Sequence, residues 1–101
     1  MDRRIELGNI LKAIPGVKKV YFQPPESIEL VYPCIVYHLQ SVDTIYANNY
    51  PYRNEDAYQL MIIDRNPDSA IRHYVEKLPM CRFDRYYSVE NLNHWLFVMY
   101  Y

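Results

Sequence analysis

Three histidines and two cysteines are the side chains of this chain best suited to bind a metal or attack a substrate. A metal site would combine His38, His73 and His94 with Asp64 or Asp84. Metal-binding histidines commonly stand at short, regular spacings, such as i and i+4 on one helix. Because none of these histidines has such a partner, we interpret them as structural or surface residues and expect no metal site.

Cys34 and Cys81 are candidate nucleophiles, with a histidine as the base. The chain has only two glycines, and neither forms a glycine-lined turn that would present a thiol. The cysteines are far apart and lack a CxxC or CxxH neighbour, so neither a disulfide framework nor a zinc site is predicted. We expect two reduced, partly buried thiols and no enzyme activity.

The charge balance disfavours nucleic-acid binding. The chain has 11 Lys plus Arg and 12 Asp plus Glu, a formal net charge of -1, whereas proteins that bind a phosphate backbone usually carry a basic surface. The run Arg82-Phe83-Asp84-Arg85 mixes signs and favours local ion pairs. Aromatic strands can stack bases, but the βαββαβ order of an RNA-recognition sheet is missing. The charged N-terminus predicts neither a signal peptide nor a membrane span.

The chain is unusually rich in tyrosine, with 12 residues of this type. A tyrosine combines a large apolar ring with a polar tip and is enriched at protein interfaces. The segment Ser41–Glu55 concentrates three of them around Asn48-Asn49, a dipeptide that tolerates the positive φ of a hairpin turn. We predict a protruding hairpin or long loop that contacts another chain. Its candidate interface residues are Ile45, Tyr46, Tyr50, Tyr52 and Arg53.

The stretch from Ala57 to Leu78 predicts a central strand followed by a helix. Tyr58 to Ile63 alternates apolar residues on both faces. Asn66 is a good N-cap and Pro67 suits the first helical position. The helix is expected to end before Pro79, with its apolar side at i, i+3, i+4 and i+7, which are Ile71, Tyr74, Val75 and Leu78.

The other elements follow from similar patterns. Asp2 is a candidate cap for a first helix whose apolar side bears Leu7, Leu11 and Ile14. Two further strands are predicted at 17–22 and 34–40, and a last strand at 94–101. Residues 80–91 are predicted to form an irregular crossing.

Together these elements predict one α+β domain spanning residues 1–101. Its order is α-β-β-β-α-β, with a mainly antiparallel sheet of about four strands and two helices on one face. In the last strand, Trp95, Phe97, Met99 and Tyr101 lie on one face, and Leu96, Val98 and Tyr100 on the other. Two helices cover only one face, so we expect one of these sets to pack outside the monomer. The first set is assigned to the interface.

Four strings carry a family resemblance: YPCIVYHL at 32–39, AYQLMIIDRNPDS at 57–69, LPMCRFDRYY at 78–87 and the ending ENLNHWLFVMYY. With the predicted arrangement, they resemble small tail completion proteins of long-tailed bacteriophages, the tail terminators and tail-to-head joining proteins. The similarity covers most of the chain from about Pro33 onward, and the first thirty residues match only in pattern.

The resemblance implies a structural virion protein, assembled in the host cytoplasm, that forms a hexameric ring. The ring would cap the tail tube protein at the head-proximal end of the tail and present its other face to the head connector. Genome DNA would pass through the lumen without specific binding. The resemblance implies no catalysis, cofactor or metal. The alternatives are another oligomeric phage protein, such as a connector adaptor, and a nucleic-acid-binding module.

Overall fold

The computed structural model describes residues 3–47 and 50–101, with the side chains of residues 4–42 and 56–101. The described part contains two helices and five strands. In chain order they are α1 (Arg3–Lys12), β1 (Lys19–Phe22), β2 (Cys34–Ala47), β3 (Tyr50–Asp64), α2 (Ile71–Glu76), β4 (Cys81–Val89) and β5 (Leu92–Tyr100).

The five strands form one mixed sheet in the order β1-β2-β3-β5-β4. β1 runs parallel to β2, and the other neighbouring pairs are antiparallel. The α+β class agrees with the prediction from sequence. The predicted sheet of about four antiparallel strands is only roughly right, because β4 is an additional strand and β1 is parallel.

Both helices pack on the same face of the sheet, which we call the helix face. Its core includes Leu7, Leu11 and Ile14 from α1 and Ile71 and Val75 from α2. The sheet contributes Ile35, Tyr37, Tyr58, Leu60, Ile62, Trp95, Phe97 and Met99. The alternation of side chains along each strand places these residues on one side, and their burial is the main source of stability.

The opposite face has a smaller core formed by Cys34, Val36 and Ile63. The connection between β1 and β2 covers part of it with Leu30 and Tyr32. Leu96 and Val98 lie on this face and are also buried.

The prediction that one face of the last strand packs outside the monomer is therefore wrong. Trp95 and Leu96, which stand on opposite faces, are both buried within the subunit. The prediction treated the helices as the only cover. Besides the β1–β2 connection, Tyr87 reaches across the opposite face: its ring stacks on His94 at 4.6 Å between centroids, and its hydroxyl lies 3.7 Å from the Met61 sulfur.

The first helix has the predicted core side, whereas α2 is shorter than predicted. Asn66 does not cap it and Pro67 is not its first residue, since α2 begins at Ile71 after Ala70. Asn66 instead accepts the Asp68 N–H at 3.0 Å, and its own N–H donates to Asp64 Oδ1 at 3.0 Å. These side chains stabilise turns in place of helix. Tyr74, predicted on the apolar side, is exposed. The predicted cap Asp2 lies outside the described residues.

The region predicted as an irregular crossing, residues 80–91, contains strand β4 and its turn into β5. Glu90 and Asn91 both have positive φ, 52° and 65°, as a two-residue type I′ hairpin turn requires. One register shift lies between Phe83 and Arg85, which makes Asp84 a bulged residue. The bulge interrupts the alternation by which a strand is recognised in a sequence.

Candidate interaction surface

The β2–β3 hairpin extends well beyond the rest of the sheet. β3 pairs with β5 only up to Ala57–Tyr100, and β2 pairs with β1 only up to Tyr37. Beyond these points, within the described ranges 3–47 and 50–101, residues 41–47 and 50–56 pair with each other and with no third strand. We call these two segments the hairpin arm. The arm accounts for the elongated shape, with extents of 51 × 26 × 24 Å.

The hairpin arm contains the interface residues predicted from the tyrosine-rich segment. Ile45 pairs with Arg53 and Tyr46 with Pro51 in the strand register. The side chains of residues 43–55 and the predicted turn Asn48-Asn49 lie outside the described part of the chain. The backbone of the described residues thus forms a protruding hairpin, as predicted. The contacts proposed for its side chains stay predictions.

The other residues assigned to the interface lie in the subunit core. Trp95, Phe97 and Met99 are at most 4 % exposed and pack against the helices. Tyr101 is partly buried, and its hydroxyl donates to Glu6 Oε2 at 3.3 Å. Three of these four residues therefore stabilise the monomer and offer no surface to a partner. The pattern of alternating apolar residues identified their strand correctly but not which side of it was covered.

The histidines are dispersed over the fold. His38 lies on β2, His73 on α2 and His94 on β5. His73 Nδ1 lies 3.7 Å from Glu76 Oε2, and His94 Nδ1 lies 3.1 Å from the Leu92 carbonyl oxygen, which can only accept a hydrogen bond from it. Among the residues that the structure describes, no three His, Cys, Asp or Glu side chains form a group able to hold a metal ion. Within the same residues, no helix is long and apolar enough to cross a membrane.

Both cysteines are free thiols, and the pKa of each is raised. Burial, reinforced by the charge of Asp64, raises the pKa of the Cys34 thiol to about 12. Burial and then Glu76 raise the pKa of the Cys81 thiol to about 11. A thiolate is the nucleophilic form, so neither cysteine is activated at neutral pH. Their surroundings are those of structural thiols.

Strand β4, which the sequence analysis did not predict as a strand, carries several exposed apolar residues. Phe83 is 48 % and Tyr86 47 % exposed. Each ring contacts one ring of β5: Phe83 meets Phe97 edge-on at 5.5 Å, and Tyr86 meets Trp95 at 5.4 Å. Tyr87 and Val89 are exposed on the opposite face. Phe83 and Tyr86 therefore form an exposed aromatic pair on the helix face, and neighbouring exposed apolar residues commonly mark an interaction site.

A groove of about 570 Å³ lies on the opposite face, between the β1–β2 connection and the sheet. Its walls include Pro24, Pro25 and Ile28 from the connection and Val36, His38 and Met61 from the sheet. The groove is mainly apolar and open to solvent. Gln23, Glu26 and His38 are the polar members of its lining, which is otherwise apolar.

Comparisons with models of protein families, with curated proteins and with solved structures found no match to this chain.

Proposed function

We propose that the protein is a structural subunit that assembles with copies of itself. More specifically, we propose that it forms a ring at the head-proximal end of a long phage tail, where the ring terminates the tail tube and joins it to the head. The observation that carries this proposal is the hairpin arm, which extends beyond the body of the sheet and, among the described residues, has no third strand beside it.

A two-stranded ribbon is at best marginally stable in water unless it packs against something else. The arm also carries Ile45, Tyr46, Tyr50 and Tyr52 in its sequence, and tyrosine is favoured where a surface is wet before assembly and dry afterwards. A neighbouring subunit that receives the arm would supply the missing contacts. When each subunit donates its arm to the next, the contact is heterologous, and a rotation that closes produces a ring.

The resemblance to tail completion proteins supports the particular place of the ring. The four strings that carry it fall mainly on β2, β3, β4 and β5, which are consecutive in the sheet. In this proposal the ring is a hexamer, and its partners are the tail tube protein on one side and the head connector or adaptor on the other. Genome DNA passes through the lumen without specific contacts, which suits a net charge of -1. The site of action is the virion.

The test is the mass and shape of the purified protein. We expect light scattering and negative-stain images to show a ring for the wild type and no ring for Tyr46→Ala/Tyr50→Ala. The matched control is Tyr74→Ala, which removes an exposed tyrosine of α2 outside the arm and should leave the ring intact. A double variant that assembles as well as the wild type would refute the role of the arm.

A connector adaptor, the first alternative, would also assemble through its own copies. Addition of isolated tail tubes distinguishes the two, because a terminator ring should bind the tube end and an adaptor ring should not.

A second candidate, nucleic-acid binding, is favoured by one feature of β4. The strand register places Arg82, Arg85 and Tyr87 on the same face, and all three are exposed. Arginines beside an aromatic ring can bind phosphates and stack a base. Retention on heparin at physiological salt that is lost in Arg82→Ala/Arg85→Ala would favour this candidate over the ring.

A further inference from the structure

The outer edge of strand β4 is a surface that the proposed ring does not use. The strand order of the described chain leaves β4 with β5 on one side and no neighbour on the other. Every residue of β4 except Cys81 is exposed. An uncovered edge strand presents unpaired N–H and C=O groups and is a template for another strand.

The first half of β4 shows which backbone groups face outward. The Tyr100 N–H donates to the Met80 carbonyl at 3.1 Å, so these two residues form a hydrogen-bonded pair. Hydrogen-bonded and non-hydrogen-bonded pairs alternate along an antiparallel ladder. Cys81 and Phe83 therefore stand in non-hydrogen-bonded pairs with β5, and their N–H and C=O groups point to the free edge.

In the second half of β4, the turn into β5 shows which backbone groups face the free edge. Val89 and Leu92 flank the two-residue turn and form its closing pair, which in a type I′ hairpin is hydrogen-bonded. By alternation, Tyr86 and Ser88 direct their backbone groups outward. The free edge thus offers pairing groups at two residues before the bulge and two residues after it.

The bulge at Asp84 decides which strand fits this edge. An extra residue bends and twists an edge strand, and this protects the edge from an ordinary straight strand. A second copy of β4 carries the same extra residue at the same level. Two copies that run antiparallel with their bulges side by side can therefore pair residue for residue.

We propose that β4 pairs antiparallel with β4 of a second copy of this chain, about a twofold axis between Asp84 and Arg85. In this register Phe83 lies opposite Tyr86 of the partner subunit, and Cys81 lies opposite Ser88 of the partner subunit. These are the four residues whose backbone groups point outward, so each pair exchanges two hydrogen bonds.

The side chains agree with the same register. Phe83 and Tyr86 both project on the helix face, where Phe83 contacts Phe97 and Tyr86 contacts Trp95. The pairing therefore joins two half-exposed rings across the edge, which is a favourable cross-strand pair. On the opposite face Arg82 lies beside Tyr87 of the partner subunit, in position for a cation–π contact.

The charges at the centre are complementary as well. Asp84 lies beside Arg85 of the partner subunit, and the twofold axis repeats this contact. Within one subunit Arg85 Nε and Asp84 Oδ2 are 3.9 Å apart, and the two side chains are 66 % and 41 % exposed, so their own ion pair contributes little. Pairing with a second copy places both charges between two oppositely charged neighbours.

This contact goes beyond the proposed ring. It is isologous, because the same strand contributes on both sides, and it stops at two subunits. The hairpin arm, which we assign to the heterologous ring contact, is a separate part of the subunit. The two contacts are consequently tested by different variants, and failure of one leaves the other standing.

The native Cys81 allows a direct test of the register. Residues directly opposite each other in an antiparallel pair have Cα atoms about 4.5–5.5 Å apart, within the range of a disulfide. Ser88→Cys should therefore form a disulfide with Cys81 of the partner subunit when purified protein is oxidised with diamide at alkaline pH. We expect covalent dimers and no larger species in non-reducing gels and intact-mass spectra.

Two controls make the result specific. The cysteine of Val89→Cys lies one residue further along β4 and on the other face, so it should not react with Cys81. Ser88→Cys/Cys81→Ser should form no covalent dimer. Absence of dimers in Ser88→Cys, equal dimers in Val89→Cys, or a ladder of larger products would overturn the proposal.

A charge swap provides an independent measurement without oxidation. The dimer is measured in the Tyr46→Ala/Tyr50→Ala protein, in which the proposed ring contact is removed. There, Asp84→Arg places like charges beside Arg85 of the partner subunit and should weaken the dimer about tenfold in sedimentation equilibrium. Asp84→Arg/Arg85→Asp restores opposite charges and should recover the dissociation constant of the protein with the native Asp84 and Arg85. Equal dissociation constants for all three proteins, or failure of the double variant to recover, would contradict the register.

Discussion

Cys81 and Cys34 should differ sharply in reactivity, although both thiols have raised pKa values. Below pH 9, a pKa of about 11 in place of 9.0 lowers the thiolate fraction of Cys81 about a hundredfold. We expect Cys81 to react with iodoacetamide correspondingly slowly at pH 8, with a rate that still rises above pH 9. Cys34 is fully buried and should react only when the protein unfolds.

Mass spectrometry of the labelled protein, with Cys34→Ser and Cys81→Ser as the two single-cysteine controls, separates these rates. A rate at Cys81 equal to that of a free thiol, with a midpoint near pH 9, would contradict the burial of this side chain.

Among individual residues, sequence reasoning identified the dispersed histidines and the buried thiols but misassigned the exposed aromatics. Trp95 and Phe97 were assigned to an interface and are core residues, whereas Phe83 and Tyr86 are exposed on β4. The residue types are similar in both places. Which aromatic is covered depends on the position of its strand in the sheet, and a one-dimensional pattern does not contain strand order.

At the scale of elements, the contact between α1 and β2 depends on the absence of a side chain at Gly8. A Cβ added there would stand 2.7 Å from the Tyr37 hydroxyl, which donates to the Arg4 carbonyl at 3.2 Å. The Tyr37 ring is fixed between Phe22 at 5.0 Å and Tyr58 at 6.2 Å, so it cannot move away freely.

Gly8→Ala should therefore destabilise the protein even though alanine is the better helix former. The gain in helix propensity is about 1 kcal/mol, while overpacking in a close-packed core costs about 1–3 kcal/mol. We expect a net loss of roughly 1 kcal/mol in urea unfolding. In a Tyr37→Phe background, where the hydroxyl is gone, the same substitution should become stabilising. Additive effects of the two substitutions would show that the close contact is unimportant.

The elements that could be predicted are those whose apolar residues face a single core. The helix side of Leu7, Leu11 and Ile14 and the buried central strands were identified because burial imposes a period on their sequence. β4 was missed because an exposed edge needs no such period and its bulge breaks the alternation. The start of α2 was placed too early because Asn66 and Pro67 suit a helix N-terminus and a turn equally well.

For the whole molecule, the sheet presents two different surfaces to possible partners. The hairpin arm extends from β2 and β3 past the ends of their neighbours, whereas the β4 edge lies along the last strand of the sheet. One is a projection suited to a heterologous contact, and the other is a bulged edge suited to a twofold contact with a copy of itself. Because these are separate parts of the subunit, one subunit can make both contacts at once. The arm would join subunits within a ring, and β4 would join two subunits about a twofold axis.

The integrity of the whole subunit should depend on the last five residues. β5 is paired on both sides, with β3 and with β4, and Phe97 and Met99 are fully buried in the main core. Loss of one such side chain typically costs about 2–5 kcal/mol, against a total stability of about 5–15 kcal/mol for a domain. Deletion of residues 97–101 removes both and also leaves parts of two strands unpaired.

We expect this truncated chain to be insoluble, because the exposed strand edges and core residues would aggregate. The matched control is deletion of Tyr101 alone, which removes its N–H bond to the Asp56 carbonyl at 3.1 Å and its hydroxyl bond to Glu6. That variant should remain soluble, with the fluorescence of the single, buried Trp95 unchanged in wavelength. A soluble protein lacking residues 97–101 that retained a buried Trp95 would show that β3 and the helices form a stable core without the end of β5, and that the subunit is not one cooperative unit.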